Sequence, residues 1–476
     1  MHGIRAAIFD MDGLMIDSEG LSVEGWLEAG RILNVPLTED FVNQFRGTNE
    51  NYSRALCLKT FGDDFDYAHC RQIHDEYISR VIHRDGITVK PGLIELLDWL
   101  EAQGIPCAVA TSTSQPRAEE RLRVAGLYDR FAAYVYGSQV KRSKPDPEIF
   151  QLAAAALGAA PEESAVFEDS PNGVMAGLAL GGLTFAVPDR IPIPEESAAR
   201  VTALTKTLAD TIPVLRERML ADAAEAKARE KGPAAPVRVT LIGHSGVLAE
   251  LPDATLLFDW WKGDLPAIRK EVPLYVFASH AHGDHFSPKV FDLAGSACAV
   301  HYILSDDIRG CVAFRRAANA PAGIHWAKPG DTFAAGSLTV HAYASTDEGC
   351  AFAAETSAGR IWHAGDLNWW TWPGEETQEE FTDMTVRYRQ ELKKAAADAA
   401  DDPFVLAFVP LDPRQEKRFS WGMAEFLRTV GAAHIVPIHC WEDETMAERF
   451  LQTDLGRAFE KELVPLMRAG QSAVIG

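Results

Sequence analysis

The sequence predicts an α/β protein made of two unlike halves, and three observations carry that prediction. Short apolar runs such as 4-IRAAIF-9, 105-IPCAVAT-111 and 164-SAVFED-169 alternate with longer amphipathic stretches, the pattern of strands feeding helices. The apolar runs end in acidic, hydroxyl or imidazole side chains, so chemistry-bearing groups gather at strand ends. Around 216-RERMLADAAEAKAREKGPAAP-236 the chain turns charged and Ala-rich, then Gly/Pro-bearing, which predicts a helical end followed by an interdomain linker. Beyond it the texture is strand-rich: 237-VRVTLIG-243, 247-VLAEL-251, 255-TLLFDWW-261 and 337-SLTVHAY-343.

At 476 residues the chain is too long for one ordinary domain. With 47% hydrophobic and 24% charged residues it has the composition of a globular protein with ample core. A formal net charge of -22 argues against nonspecific binding to nucleic acid or anionic membranes, which needs basic patches. The seven cysteines are odd in number and scattered without a CxxC pair, which predicts a reducing compartment rather than a disulfide framework. The N-terminus runs straight into a strand-like segment, and no apolar run is long enough to span a bilayer. A cytoplasmic protein is expected, with a homo-oligomer left open.

The first half begins with 4-IRAAIFDMDG-13, an apolar strand ending in Asp10 and Asp12. Two carboxylates so spaced can point into one crevice, one as nucleophile and the other as proton shuttle, with Gly13 permitting a sharp turn. Three further segments support the reading. Residues 105–114 form a strand ending in hydroxyls, including Thr111. The segment 141-KRSKPDP-147 offers Lys144 to neutralise phosphoryl charge. The segment 164-SAVFEDSPNG-173 ends a strand in Glu168 and Asp169, which with Asp10 could hold a hard cation such as Mg²⁺. Between about residues 17 and 86 the pattern is mostly helical and reads as an insertion.

In order, spacing and strand context, these motifs resemble the haloacid dehalogenase superfamily, in the branch of β-phosphoglucomutase-like phosphatases, over roughly residues 1–215. The resemblance implies a Rossmann-like parallel sheet with an inserted helical cap at about 17–86. It implies Asp10 as the nucleophile of an aspartyl-phosphate, Asp12 as general acid/base, and Thr111 and Lys144 as phosphate-stabilising residues. It places Mg²⁺ on Asp10, the Asp12 backbone, Glu168 and Asp169, and it makes the substrate a small phosphorylated metabolite. Arg46 and Asn49, in 46-RGTNENYSRAL-56, fall where such proteins contact substrate or form an ordinary loop. The mutases of this branch carry a histidine at the position of Ser22, so Ser22 favours a phosphatase, with a mutase as the alternative.

The second half carries 280-HAHGDHF-286 after the apolar run 274-LYVFAS-279. His280 and His282 alternate and so point the same way, with Asp284 and His285 following across a glycine. Neutral imidazoles with a carboxylate suit Zn²⁺ or a related transition metal. Two later strand ends agree: 359-GRIWHAGD-366 brings His363 and Asp366, and 434-HIVPIHC-440 brings His439. A hydroxide held between two metals would be a strong nucleophile at neutral pH.

This half resembles the metallo-β-lactamase superfamily over about residues 237–476, which implies an αβ/βα sandwich. By resemblance His280 and His282 are first-metal ligands, Asp284, His285 and His439 second-metal ligands, and Asp366 the bridge. His363 reads as a strand-end residue. One element departs from the pattern: in 337-SLTVHAYASTDEGCAF-352, where a further first-metal histidine is expected, His341 is the only histidine, a ligand or a strand-face residue and read as the latter, with Asp347 or Glu348 as substitutes, so the site could be mononuclear, asymmetric or weak. His301 and His325 read as surface positions. Trp369, Trp370 and Trp372 could wall a pocket, form core or make a dimer contact. His244 could face the metals, and Arg414 could bind an anionic substrate. The whole chain is then expected to be a bifunctional hydrolase. The alternative is a second half that binds metal or ligand without catalysis and regulates the first.

Overall fold

The computed structural model describes residues 3–45 and 50–476, in two compact units. The first comprises Met1–Glu101, Ile105–Arg218 and Gly374–Thr382, and the second the remaining residues. Arg46 and Asn49 lie outside the described residues.

The first unit is built on strands β1 (Ala6–Phe9), β2 (Cys107–Thr111), β3 (Ala133–Tyr136), β4 (Ser164–Glu168), β5 (Leu183–Ala186) and β6 (Ala203–Leu204). They form one sheet in the order β3-β2-β1-β4-β5-β6, with every pair parallel. β1, β2 and β4 are buried along their whole length. That is why they read as continuous apolar runs rather than alternating ones. Phe9, Phe167 and Phe185 share one register position on β1, β4 and β5. Their rings stack at 4.6 and 5.1 Å and lock the strands against slippage. Because β2 and β4 flank β1 on opposite sides, a crevice opens beyond the carboxyl ends of these three strands.

Helices α1 (Glu19–Leu33), α2 (Glu39–Val42), α3 (Glu50–Phe61) and α4 (Tyr67–Asp85) follow β1. They enclose a small core of their own around Trp26, Leu37, Cys57, Tyr67 and Cys70. α1 stops at Asn34, which takes the left-handed conformation at φ 55° and donates its N–H to the Gly30 carbonyl. α4 starts at Asp66, whose side chain accepts from the His69 N–H. Helices α5 (Leu93–Ala102), α6 (Gln115–Val124), α7 (Glu148–Ala156) and α8 (Pro171–Leu180) complete the alternation. Ser170 caps α8 by accepting from the Gly173 N–H, with Pro171 in the first turn. A further helix, Ile212–Lys227, runs into the stretch read as a linker, and residues 228–236 carry neither helix nor strand.

The second unit holds two mixed sheets. One is formed by β7 (Val237–Gly243), β8 (Gly246–Glu250), β9 (Thr255–Phe258), β10 (Leu274–Ala278), β11 (Val300–Ser305) and β12 (Ile324–Ala327), in chain order along the sheet. The other is formed by β13 (Thr332–Ala335), β14 (Leu338–Ala344), β15 (Cys350–Thr356), β16 (Gly359–His363), β17 (Phe404–Pro410) and β18 (Ile435–Ile438). A last strand, β19 (Ser472–Ile475), pairs with β7 at the edge of the first sheet. One apolar core draws Leu256, Phe258 and Phe277 from the first sheet and Val340, Phe352 and Phe408 from the second. The two sheets therefore face each other across it. Leu257 and Val276, one residue out of phase, belong to a second cluster with Phe291 and Phe314 on the far side of the first sheet.

Candidate active sites

In the first unit the predicted residues meet at the carboxyl ends of β1, β2 and β4. Asp10 follows the last residue of β1, Thr111 ends β2, and Glu168 ends β4 with Asp169 next. Gly13, at φ 87°, turns the chain sharply after Asp12, and a Cβ there would stand 2.3 Å from Asp169 Oδ2. The turn therefore needs glycine both for its backbone and for the space it leaves. Lys144 is almost wholly buried and bonds Asp10, the Ala110 carbonyl (3.1 Å) and Glu168 (2.7 Å). Asp12 accepts from Ser18 at 2.5 Å, Thr113 at 2.7 Å and Arg121 at 2.5 Å. A cavity of about 390 Å³ opens over this group, lined also by Ser112, Ser114 and Ser143.

The electrostatics separate two carboxylates that are only two residues apart. Burial, reinforced by Glu168, pushes the Asp10 carboxyl up to about 7 against the pull of Lys144. Burial acts on Asp12 too, but the Arg121 guanidinium and the Ser18 and Thr113 hydroxyls outweigh it and hold the group below the ordinary range. Asp169 is raised well above its usual value by burial and by Glu168 and Asp10. Asp10, Glu168 and Asp169 each offer an oxygen within 4.8 Å of the others. Crowded carboxylates that resist ionisation are the donor set a hard divalent cation satisfies, so the residues fit Mg²⁺.

Three groups on Asp12 lay outside the sequence reading: Ser18, Thr113 and Arg121. Arg121 sits inside an amphipathic helix, where an arginine is ordinarily solvated, and only folding turns it inward. His74 is another: it is 1% exposed, lines the same cavity and places Nε2 3.2 Å from Ser22 Oγ. Its Nδ1 faces Asp75 at 2.9 Å, and burial pushes the imidazole down to about 4.

In the second unit the HxHxDH segment begins two residues after β10, and Asp366 and His439 follow β16 and β18. Two groups of metal-capable side chains assemble there. One is His280, His282, Asp347 and Asp366; the other is His244, Asp284, His285 and His439. Asp366 faces both. Its Oδ2 lies 3.6 Å from His280 Nε2, and its Oδ1 lies 3.2 Å from His285 Nε2 and 3.3 Å from His439 Nε2.

The outer nitrogens are tied to buried partners. His280 Nδ1 meets Ser279 Oγ at 2.9 Å, His285 Nδ1 meets Asp259 at 2.8 Å and His439 Nδ1 meets Asp412 at 2.9 Å. Such bonds fix the rings so that Nε2 faces inward, and in the neutral imidazole that nitrogen carries the lone pair a metal would take. His244 Nε2, His285 Nε2 and Asp366 Oδ1 are buried without a hydrogen-bond partner. Orphaned donor atoms converging in a polar site fit a transition metal. Burial holds His280 down to about 4, which leaves it neutral. His285 is raised to about 9, because Asp366 and Asp259 outweigh its burial.

The remaining candidates fall elsewhere. His341 stands on β14 and bonds Thr332 and Glu355. His363, the buried last residue of β16, contacts the Ser245 carbonyl at 3.0 Å. His301 stacks on Tyr275 and His325 on Phe333. Trp369 is fully buried, whereas Trp370 lies 5.5 Å from the His439 ring and stacks on Trp372. Arg414 grips Asp412 and lies over Trp441 at 4.6 Å. Asp259 and Asp412 had no place in the sequence reading as partners of the histidines. The signal was present, since each directly follows or nearly follows an apolar strand end, as Asp10 does.

Comparison with known proteins bears on the first unit. The family model of haloacid dehalogenase-like hydrolases matches residues 4–181. A Thermotoga maritima protein named "Phosphorylated carbohydrates phosphatase" is 36% identical over 183 residues, covering 37% of this chain and 82% of that one. "Hexitol phosphatase A" of Escherichia coli is 35% identical over 184 residues, covering 38% and 82%. A "Beta-phosphoglucomutase" of Bacillus subtilis is 28% identical over 182 residues, covering 36% and 78%. The chain belongs, through its N-terminal part, to the haloacid dehalogenase-like hydrolases. No helix among the described residues is long and apolar enough to cross a membrane.

Proposed function

We propose that the chain is a bifunctional hydrolase. Residues 1–215 act as a Mg²⁺-dependent phosphatase of small, sugar-like phosphomonoesters through an aspartyl-phosphate, and residues 237–476 act as a metal-dependent hydrolase. The observation that carries the first activity is the pairing of Asp10 on Lys144 with Asp12 on Arg121 in one hydroxyl-lined cavity. The names of the phosphatase relatives supply the substrate class.

In this reading Asp10 attacks phosphorus, with Lys144 and Thr111 neutralising charge on the transferring group. Asp12, held ionised by Arg121, suits removal of a proton from the water that hydrolyses the intermediate. Its other task, protonating the leaving oxygen, requires that Arg121 loosen its hold when substrate enters. Mg²⁺, when bound on Asp10, Glu168 and Asp169, supplies further neutralisation of phosphoryl charge. The test is release of inorganic phosphate from hexose and hexitol phosphates, with trapping of phosphate on Asp10. A mutase is the second reading, favoured by the His74 imidazole standing against Ser22. Incubation with a hexose 1-phosphate separates the two: isomer formed without free phosphate means mutase.

For the second unit the reading rests on the imidazole–carboxylate assembly around Asp366 and on the resemblance to metallo-β-lactamase-fold hydrolases. The two sheets facing one core accord with the sandwich that this resemblance implies. Metal bound there supplies Lewis acidity and lowers the pKa of water. Asp259, Asp412 and Ser279 orient the imidazoles, and Trp370 and Arg414 border the approach. A screen of ester, lactone and phosphodiester substrates tests this. Retained metal without turnover, together with a change in phosphatase rate, would instead make the unit a regulatory module.

A further inference from the structure

The geometry points to two unequal metal positions in the second unit, completed by residues outside the usual pattern. Asp347 joins His280, His282 and Asp366 in a labile, carboxylate-rich position that accepts Mn²⁺. His244 joins Asp284, His285 and His439 in a tight, imidazole-rich Zn²⁺ position. The inference rests on the metallohydrolase reading above and goes beyond it by assigning the ligands and the ions.

Asp347 is delivered by the loop between β14 and β15, and that loop is fixed at both ends of its turn. Gly349 has φ 69°, and a Cβ there would stand 2.1 Å from the Ser279 carbonyl oxygen and 2.6 Å from His280 Cβ. The loop therefore packs directly on the backbone of the HxHxDH segment. On its other side Thr346 Oγ1 bonds the Asn368 carbonyl at 2.5 Å, next to the chain that carries Asp366. Between these anchors Asp347 Oδ2 comes 3.7 Å from His282 Nδ1, which itself lies 3.0 Å from His280 Nε2. His341, the only histidine of that region, is engaged on β14 with Thr332 and Glu355.

His244 sits in the turn between β7 and β8 at φ 52°. Its carbonyl accepts from the His439 N–H at 3.2 Å, and its ring centroid is 4.1 Å from that of His439. Its Nε2 is buried, lacks a hydrogen-bond partner and points at Asp284 Oδ2, 3.4 Å away. His285 Nε2 in the same cluster, and Asp366 Oδ1 where the two clusters meet, are likewise buried without a hydrogen bond, the independent sign that a ligand belongs there.

The inequality follows from the donors. Asp366 faces both positions, and apart from it the first has two imidazoles and one carboxylate where the second has three imidazoles and one carboxylate; the first is the harder set, and carboxylates suit Mn²⁺ where imidazoles suit Zn²⁺. Exposure agrees. The side chains of His282 and Asp347 are 47% and 45% exposed, whereas those of His244, His285 and His439 are at most 5%. The open position exchanges its ion and faces incoming substrate.

The experiment uses the full chain carrying Asp10→Asn and Asp169→Asn, which silence the acidic group of the first unit. After stripping with a chelator, Zn²⁺ is titrated calorimetrically. Mn²⁺ is then added to protein holding one equivalent of Zn²⁺ and counted by electron paramagnetic resonance. The expected result is two Zn²⁺ events separated by about a hundredfold or more in affinity, and about one Mn²⁺ bound after the first. Asp347→Ala and the near-isosteric Asp347→Asn should remove the weaker event and the Mn²⁺ alone. His244→Ala should weaken the tighter event by roughly tenfold or more and leave the weaker one. Variants that titrate like the parent, or a parent with a single event insensitive to Asp347, overturn the inference while leaving the metallohydrolase reading standing. A parent that binds neither ion overturns both.

Discussion

Asp10 and Asp12 show how far the surroundings of a residue can separate identical chemistry. Asp10 is buried and Asp12 half-buried, but Asp10 shares Lys144 with Glu168, whereas Asp12 has Arg121 and two hydroxyls to itself. If Asp10 is the nucleophile, Asp10→Asn should lower phosphate release by roughly a thousandfold or more with the far-ultraviolet spectrum unchanged. Turnover near that of the parent would exclude the aspartyl-phosphate. Arg121 acts on Asp12 by holding its carboxyl low, so Arg121→Ala should let that carboxyl rise. If Asp12 must be ionised to activate water, the acid limb of the kcat profile then moves to higher pH. A profile that only scales down, with its limb in place, would leave Arg121 a structural role alone.

Among the elements, the strand ends and the glycine turns beside them do most of the positioning. β1, β2 and β4 deliver one site; β10, β16 and β18 deliver the other. The turns after them are tight enough that added carbon has nowhere to go. Gly349→Ala combines a left-handed backbone with a contact of 2.1 Å to the Ser279 carbonyl oxygen. It should destabilise the second unit by about 1–3 kcal/mol, read as a lower denaturation midpoint. It should also weaken metal retention in that unit, since the loop and His280 can no longer pack together. Gly283, next to the histidines, has open space where a Cβ would stand and a φ outside the left-handed range. Gly283→Ala is therefore the control expected to change stability little.

Across the whole molecule, each apolar core is drawn from one unit, and each unit carries its own metal-capable cluster. Ions of different hardness should then stabilise different parts of the protein. In scanning calorimetry, Mg²⁺ should raise a transition that Asp169→Asn renders insensitive, and Zn²⁺ a transition that His285→Ala renders insensitive. One transition raised by both ions would mean that the units unfold together. The Mg²⁺ effect should also depend on pH. Asp10 and Asp169 are raised in the folded chain, so the fold binds more protons than the unfolded chain between the usual carboxylate range and about pH 7. Without a divalent cation these groups lose stability as pH rises through that window. Mg²⁺ requires them ionised, so its stabilising shift should be larger at pH 8 than at pH 5.5. A shift that is the same at both would remove these carboxylates from the Mg²⁺ site.

Where the chemistry sits along the chain is legible in the order of residues. An apolar run followed at once by carboxylates, hydroxyls or imidazoles marks a buried strand and the groups at its end, because backbone pairing carries such side chains to one edge of a sheet. Asp10, Thr111, Glu168, HxHxDH, Asp366 and His439 were all legible in this way. Which groups surround them depends on how the chain packs. Arg121 and His74 lie on helices, where sequence spacing fixes a face but not what the face meets. Asp259 and Asp412 lie just past strand ends, yet only the packed sheets show that they bond His285 and His439 rather than face solvent. His341 and Asp347 are six residues apart, and a strand pairing and a glycine turn, not composition, set one on a sheet face and the other beside His282. Local pattern reflects backbone periodicity and burial, which neighbouring residues dictate. A site's partners come from contacts between segments far apart in the chain, and those exist only once it has folded.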